Sequence, residues 1–121
     1  MTQEDKQLLL KDLCARLPYR VKIERTYIDY PTTLHEEYIV SWKIGEIEIK
    51  PYLRPMSSMT EEEENEYVQK YETILTITEK KHTCILSIEP IEWLLAHHFD
   101  FRGLIERGLA IKAPEDMYKI N

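Results

Sequence analysis

Prolines and helix-capping residues divide this chain of 121 residues into short segments, which restricts the length of every helix and strand. Pro18 ends an apolar helical repeat, because the residue before a proline is disfavoured in helical geometry. Pro51 and Pro55 are expected to end strand pairing, since a proline nitrogen cannot donate to a neighbouring strand. Pro90 suits the first turn of a helix. The positions of the prolines and capping residues therefore predict short helices and strands in one α+β domain.

The pattern at the start of the chain predicts one helix followed by strands. Thr2 and Asp5 resemble a capping box, in which a side chain accepts from the backbone three residues later. The predicted buried helix face has the spacing i, i+3, i+4 and i+7 and comprises Leu10, Leu13, Cys14 and Leu17. Alternation over residues 21–25 predicts a half-buried strand. Residues 29–36 are expected to form a loop.

A β-hairpin is predicted to turn near Gly45. Its first strand would place four side chains on one face: Tyr38, Val40, Trp42 and Ile44. Its second strand alternates Ile47 and Ile49 with charged residues.

The second half of the chain predicts further helices. Thr60 and Glu63 form a second capping box, so a helix is expected from this point to about Glu72. Residues 73–78 and 83–88 are rich in β-branched side chains and favour a hairpin. Continuation of the preceding helix through residues 73–78 is the alternative.

A pair of helices is expected near the C-terminus. The first begins near Pro90 and runs to about His98, and Asp100 is expected to cap a short second helix that Gly108 closes. A glycine inside a helix costs about 1 kcal/mol relative to alanine. Gly103 in the second helix therefore implies an element that crosses close to it. A last short strand is predicted around residues 109–111.

The composition limits the chain to a single domain, residues 1–121. Apolar residues make up 43% of it, which is enough for one core. The net charge is −6, and residues 60–121 account for all of it with seven basic and thirteen acidic side chains. Such a chain lacks the positive surface that neutralises phosphates, so nucleic acid is not the expected partner.

The N-terminus and the cysteines indicate a reducing compartment. The first residues are polar and no apolar run reaches about 20 residues, so we expect a cytoplasmic protein without a membrane span. Cys14 and Cys84 match no metal or paired spacing and are interpreted as buried free thiols. A disulfide between them is the alternative.

Ligand chemistry is concentrated at His97, His98 and Asp100, with Glu92 nearby. Neighbouring residues on a helix point about 100° apart, so the two imidazoles are not expected to converge on one ion. We therefore predict a structural hinge, without metal or cofactor, and interpret the protein as a non-enzyme. A small metal-dependent enzyme that uses this cluster is the alternative hypothesis.

Residues 90–107 have the outline of a helix–turn–helix, which gives a second alternative, a nucleic-acid-binding regulator. The second helix would present Arg102 and Arg107, but also Glu106. This is too little positive charge for a helix that enters a DNA groove.

The main functional hypothesis is a protein-interaction protein that binds another protein or itself. Its candidate surface is the stretch from Pro51 to Met59, beside the acidic helix start. The side chains expected to make contact are Tyr52, Leu53, Arg54, Met56 and Met59. Aromatic, methionine and arginine side chains are enriched at protein interfaces. Packing of the same side chains onto the domain's own core is the competing interpretation.

Three blocks of the chain resemble a family of short uncharacterised proteins from gut anaerobes and their phages and mobile elements. The blocks are LLLKDLCARLPY at residues 8–19, KPYLRPMSSMTEEE at residues 50–63, and the tail from Trp93 to Tyr118. The family has glycine where this chain has Arg20, so the chain departs from the family pattern directly after Tyr19. The resemblance implies an intracellular, phage-derived accessory protein and brings no known activity or site residues.

Overall fold

A computed structural model describes residues 1–68 and 88–118, and in them four α-helices pack with a four-stranded mixed sheet. The helices are α1 (Gln3–Arg16), α2 (Glu36–Lys43), α3 (helical over residues 61–68) and α4 (Ile88–Ala96). The strands are β1 (Lys22–Arg25), β2 (Ile28–Thr33), β3 (Ile49–Leu53) and β4 (Ile111–Lys112). The α+β prediction is confirmed. Of the hairpin expected over residues 73–78 and 83–88, the part up to residue 87, with Cys84, lies outside the described residues, and Ile88 is the first residue of α4.

Helix α1 begins as predicted, but it buries a different face. The Asp5 N–H donates to the Thr2 hydroxyl oxygen at 3.0 Å, which caps the helix. The residues that α1 buries are Leu9, Asp12, Leu13 and Arg16. Cys14 is exposed, so its predicted burial is wrong. The apolar pattern predicted the wrong face because the buried face of α1 includes two charged residues, Asp12 and Arg16, which pair with each other.

The first strand is where alternation predicts it, with Val21 and Ile23 fully buried. The predicted loop over residues 29–36 is wrong, because most of it forms β2, antiparallel to β1. Strand β2 lies at the edge of the sheet, in the order β2-β1-β3-β4. Pro31 is therefore tolerated, since an edge strand has no second neighbour that needs its N–H.

The predicted strand over residues 38–44 is wrong, because this segment forms helix α2. Ile39 and Trp42 are buried one helical turn apart, whereas Val40 and Ile44 are 55% and 66% exposed. Gly45 does not turn a hairpin. It follows the helix at φ 83°, and its N–H donates to the Trp42 carbonyl at 3.1 Å, as in a helix C-cap.

Strand β3 passes through Pro51, so the prediction that Pro51 ends pairing is wrong. The Leu53 carbonyl accepts from the Ala113 N–H at 2.8 Å, which shows that odd-numbered residues of β3 direct their backbone groups toward β4. Strand β4 pairs with β3 only from Tyr52 of β3 onward. The nitrogen of Pro51 therefore faces no acceptor on β4, and the missing N–H costs no hydrogen bond. Pairing of β3 ends at Arg54, directly before Pro55.

The C-terminal region has one helix of the predicted pair. Helix α4 forms as predicted. Residues 101–110 adopt turns, so the prediction of a second helix there is wrong. Asp100 still accepts backbone hydrogen bonds, from the N–H groups of Leu104 and Ile105 at 2.8 and 3.0 Å. Gly103 has φ 73°, and in the described structure no atom lies within 4 Å of the place its Cβ would take. Left-handed backbone, and not a closely crossing element, is the reason for this glycine.

Most of the buried apolar side chains among the described residues belong to two clusters. The larger lies between the sheet and helices α1 and α2, and the smaller consists of Trp93, Leu94 and Phe99. Across residues 1–68 and 88–118, none of the helices combines the length and the apolar character that crossing a bilayer requires.

Candidate functional site

A buried ionic cluster joins α1 to the segment after α4. Arg16, fully buried, donates from Nε to Asp12 Oδ2 at 2.7 Å and from Nη2 to the Phe99 carbonyl at 2.7 Å. Arg102 donates to the other Asp12 oxygen at 3.1 Å. Asp12 therefore lies between two guanidinium groups. The buried positive charge of Arg16 has an ionised partner, which is the arrangement that burial of a charge requires.

The structure does not bring His97, His98 and Asp100 together at one point. The His97 ring stacks on Trp93 with 4.0 Å between centroids, while the His98 ring stacks on Tyr118 at 3.8 Å. The Asp100 carboxylate accepts from the backbone of the following turn. The side chains diverge because α4 ends at Ala96 and His98 is left-handed, at φ 64°. Among the described residues, no three His, Cys, Asp or Glu side chains are placed to hold a metal ion.

His98 has an unusual electrostatic environment. Burial is the main cause that lowers its pKa from 6.5 to about 4, and the positive charges of Arg16, His97 and Arg54 act in the same direction. Its Nδ1 is buried without a hydrogen-bond partner in the described structure, as is Nη1 of Arg16. Both the solvent exclusion and the neighbouring guanidinium groups favour the neutral ring.

The arginines of the predicted helix–turn–helix are engaged within the domain. Arg102 contacts Asp12, and Arg107 donates to Asp5 at 3.2 Å. The recognition helix expected over residues 100–108 is a series of turns. This segment therefore presents neither the helix nor the free positive charge that groove recognition needs.

The stretch from Pro51 to Met59 is attached to the domain at several points. Leu53 is fully buried in β3, so it is not part of a surface as predicted. Arg54 forms a bidentate ion pair with Glu63, at 2.6 and 2.7 Å, and its guanidinium lies 4.2 Å from the Phe99 ring centre. Met59 packs against the smaller core cluster. Of the remaining predicted contact residues, Met56 is 43% exposed and Tyr52 is half-buried.

Glu63 links this stretch to α3. Its side chain accepts from the Thr60 N–H at 3.0 Å and its own N–H donates to the Thr60 hydroxyl at 3.2 Å, so the predicted capping box is confirmed. The hydrogen bonds from Arg54 are the main cause that lowers the pKa of Glu63 from 4.5 to about 2, against the opposing effect of partial burial. Arg54 is thus committed to an internal contact.

A groove lies beside the β1–β2 hairpin and was not anticipated from the sequence. Ile23 pairs with Thr32 and Arg25 pairs with Ile28, so residues 29–31 of β2 oppose Glu24 alone. The additional residues make β2 bulge away from β1. The turn before the bulge contains Tyr27 in the left-handed region, at φ 73°.

The bulge and the turn hold two tyrosines in solvent. Tyr27 is 85% exposed and Tyr30 is 68% exposed. With Tyr52 from β3 they line a groove of about 420 Å³, which we call the hairpin groove. Its other lining residues are Glu24, Arg25, Thr26, Ile28, Asp29, Glu48 and Lys50. Partial burial, followed by the neighbouring Glu24 carboxylate, raises the pKa of Tyr52.

Comparison with known proteins finds no matching family model, no matching curated protein and no matching solved structure. The resemblance to the family of short phage and anaerobe proteins therefore stays a prediction.

Sequence reasoning missed the buried pair of Asp12 and Arg16 and the exposed tyrosines Tyr27 and Tyr30. A signal for the first was present, because Asp12 and Arg16 stand four residues apart and so share a helix face. No comparable signal marked the tyrosines. Their exposure depends on a strand register that alternation alone does not reveal.

Proposed function

We propose that the protein acts by binding another protein chain, and that the hairpin groove is its docking surface. The observation that carries this proposal is the exposure of two large aromatic side chains beside a concave surface. Tyr27 and Tyr30 leave most of their area in solvent next to a groove of about 420 Å³. A non-glycine residue at positive φ, such as Tyr27, is uncommon and carries a conformational cost.

The chemistry of the groove supports a protein partner. Tyrosine combines a large apolar area with few rotatable bonds, and it is enriched among the residues that contribute most to interface binding energy. The groove volume falls in the range of pockets that enclose a small ligand or a few side chains. Charged residues of both signs lie around the tyrosines, as in the polar rim of many interfaces.

The stretch from Pro51 to Met59 is the weaker candidate surface. Leu53 is buried and Arg54 is paired with Glu63, so the large side chains that can contact a partner are chiefly Tyr52 and Met56. Tyr52 also lines the hairpin groove. The two candidate surfaces can therefore be separated by substitutions at Tyr27 and Tyr30 on one side and Met56 on the other.

The test is affinity purification from the native cell, followed by mass spectrometry, with three forms of the protein. We expect the Tyr27→Ala/Tyr30→Ala variant to lose a partner that the unaltered protein and the Met56→Ala control both retain. Thermal midpoints should agree within a few degrees, because the substituted tyrosines are exposed. Retention of every partner by the double tyrosine variant would refute the hairpin groove as the docking surface.

A further inference from the structure

We propose that the hairpin groove binds a segment of the partner that carries arginine or lysine side chains. This inference rests on the proposed function and specifies the chemistry of the ligand at the same site. Three exposed carboxylates line the groove, from Glu24, Asp29 and Glu48. They lie beside exposed tyrosine rings, which also attract cations.

The positive charges that line the groove do not balance these carboxylates. The Arg25 side chain is engaged elsewhere, because its Nε donates to the Thr26 carbonyl at 3.0 Å and its guanidinium lies 4.6 Å from the Tyr38 ring centre. Lys50 stands directly opposite Glu24 in the β1–β3 ladder. Opposite charges at such positions attract, but these two side chains form no ion pair in the described structure. Among the described residues, none of the three groove carboxylates is in an ion pair, so all three can face a partner.

The backbone around Glu48 is held in place. The Glu48 N–H donates to the Thr26 hydroxyl at 3.0 Å, and the Thr26 N–H donates to the Glu48 carbonyl at 3.2 Å. These bonds join the segment before β3 to the turn of the hairpin. The Glu48 carboxylate and Tyr27 are consequently carried by one rigid unit, which lowers the entropy cost of binding.

Aromatic faces and carboxylates together select a cation. A guanidinium or ammonium group is attracted to the face of an exposed aromatic ring. A guanidinium also stacks on rings and pairs with carboxylates through two hydrogen bonds, so arginine fits the groove better than lysine. The same carboxylates repel the phosphates of nucleic acid. The net charge of −6 opposes a second copy of this chain as the occupant.

The experiment measures binding of a fluorescein-labelled peptide of alternating threonine and arginine, with three arginines, by fluorescence anisotropy in 50 mM salt. The control peptide has citrulline in place of each arginine, which removes the charge and keeps the size. We expect the citrulline peptide to bind at least tenfold more weakly. Tyr27→Ala/Tyr30→Ala should also weaken the arginine peptide at least tenfold.

A matched pair of triple variants separates the groove from general attraction to an acidic protein. Glu24→Gln/Asp29→Asn/Glu48→Gln removes three carboxylates from the groove, and Glu61→Gln/Glu62→Gln/Glu64→Gln removes three exposed carboxylates from the start of α3. We expect at least a tenfold loss for the groove variant and a change of less than twofold for the α3 variant. Equal losses in the two variants, or equal binding of the two peptides, would overturn the inference.

The outcomes also separate this inference from the proposed function. A native partner that depends on Tyr27 and Tyr30, combined with no binding of the arginine peptide, would leave the docking surface in place and reject a basic ligand. A concentration-dependent dimer in sedimentation, abolished by Tyr27→Ala/Tyr30→Ala, would identify a second copy of this chain as the occupant. That result would also reject a basic ligand. A native partner retained by the tyrosine variant would instead reject the proposed function itself.

Discussion

At the scale of single residues, the most consequential pair is Asp12 and Arg16. Both side chains are fully buried, although charged residues are rarely so. Each charge is accepted in the interior because the other stands 2.7 Å away, and because Arg102 and the Phe99 carbonyl contribute further hydrogen bonds. Removal of one partner leaves the other as an isolated buried charge, which is far more costly than loss of the pair.

Asp12→Asn is expected to lower the free energy of unfolding by about 3–5 kcal/mol, because it leaves the Arg16 charge without a buried counter-ion. Asp5→Asn is the matched control. It disrupts the ion pair between Asp5, whose side chain is 24% exposed, and Arg107, whose side chain is 48% exposed. The loss should be less than about 1 kcal/mol, because exposed ion pairs contribute little. Urea unfolding of both variants checks the prediction, and similar losses would contradict it.

His98 is expected to make the protein less stable in mild acid. In the folded protein its pKa is about 4, against an ordinary value of 6.5, so the unfolded chain binds the proton first. The contribution of His98 to the free energy of unfolding should therefore be fully present above pH 6.5 and should be lost as the pH drops toward 4. A pKa lowered from 6.5 to about 4 corresponds in full to about 3 kcal/mol, at about 1.4 kcal/mol per pKa unit. We expect a smaller loss of about 1–2 kcal/mol, because solvent partly screens the ring.

His98→Asn tests this expectation, since asparagine tolerates the left-handed backbone that His98 adopts. The variant should be less stable at pH 7, because it loses the stacking on Tyr118, but its stability should change less between pH 7 and pH 4.5. His35→Asn, at an exposed histidine, is the control for replacing an imidazole with an amide. A pKa of His98 near 6.5 by NMR titration would show the burial argument to be wrong.

At the scale of elements, helix α2 and strand β2 show how a short segment can satisfy two patterns. Residues 38–44 alternate like a strand, yet Ile39 and Trp42 also have helical spacing, and Gly45 supplies a C-cap. A helix of eight residues has little intrinsic stability, so packing of its apolar face decides the outcome. For β2, pairing with β1 overrides the turn-like composition around Pro31.

The connection of β3 to α3 is expected to weaken in acid through Glu63. Its pKa in the folded protein is about 2 and its ordinary value is 4.5, so stability should be complete above pH 4.5 and fall as the pH drops toward 2. Glu63→Gln should cost about 1–2 kcal/mol at pH 7, because Arg54 loses its charged partner. It should also reduce the decline below pH 4.5. Glu62→Gln, at the exposed preceding residue, is the control for both effects, measured by urea unfolding at pH 7 and pH 3.

At the scale of the whole molecule, a few contacts join the two ends of the chain. The Tyr118 hydroxyl accepts from the Lys22 N–H, 96 residues away, and donates to the Tyr52 carbonyl. Arg102 reaches Asp12 across 90 residues, and Arg16 reaches the Phe99 carbonyl across 83. These contacts tie the C-terminal segment to β1, β3 and α1, so we expect the ends of the chain to unfold together.

Tyr118→Phe is expected to destabilise the protein by about 1–3 kcal/mol, because it leaves the Lys22 N–H and the Tyr52 carbonyl without their partner. Burial raises the pKa of Tyr118 to about 12, so the hydroxyl is protonated and available to donate at neutral pH. Tyr27→Phe, at an 85% exposed tyrosine, should change stability by less than about 0.5 kcal/mol. Faster hydrogen exchange at the Lys22 amide in Tyr118→Phe alone would locate the effect.

The sequence alone predicted those structural features that depend only on residues close together in the chain. Thr2 with Asp5 and Thr60 with Glu63 mark two helix starts, and the alternation from Val21 to Ile23 marks a strand. These predictions hold because a cap needs only the next three residues and a strand face only every second residue. The divergence of His97 and His98 was expected as well, although the end of α4 produces it.

Tertiary structure alone decided which face of α1 is buried, whether residues 38–44 are helical, and where the tyrosines point. Asp12 enters the core because Arg102 and Arg16 meet it there, and no local pattern announces a partner 90 residues away. Tyr27 is exposed in the turn between β1 and β2, and Tyr30 is exposed in the bulge that β2 forms opposite Glu24, which is a property of strand register. Register, charge pairing and burial are set by groups that the chain brings together only on folding, so a sequence of short, ambiguous segments leaves them open.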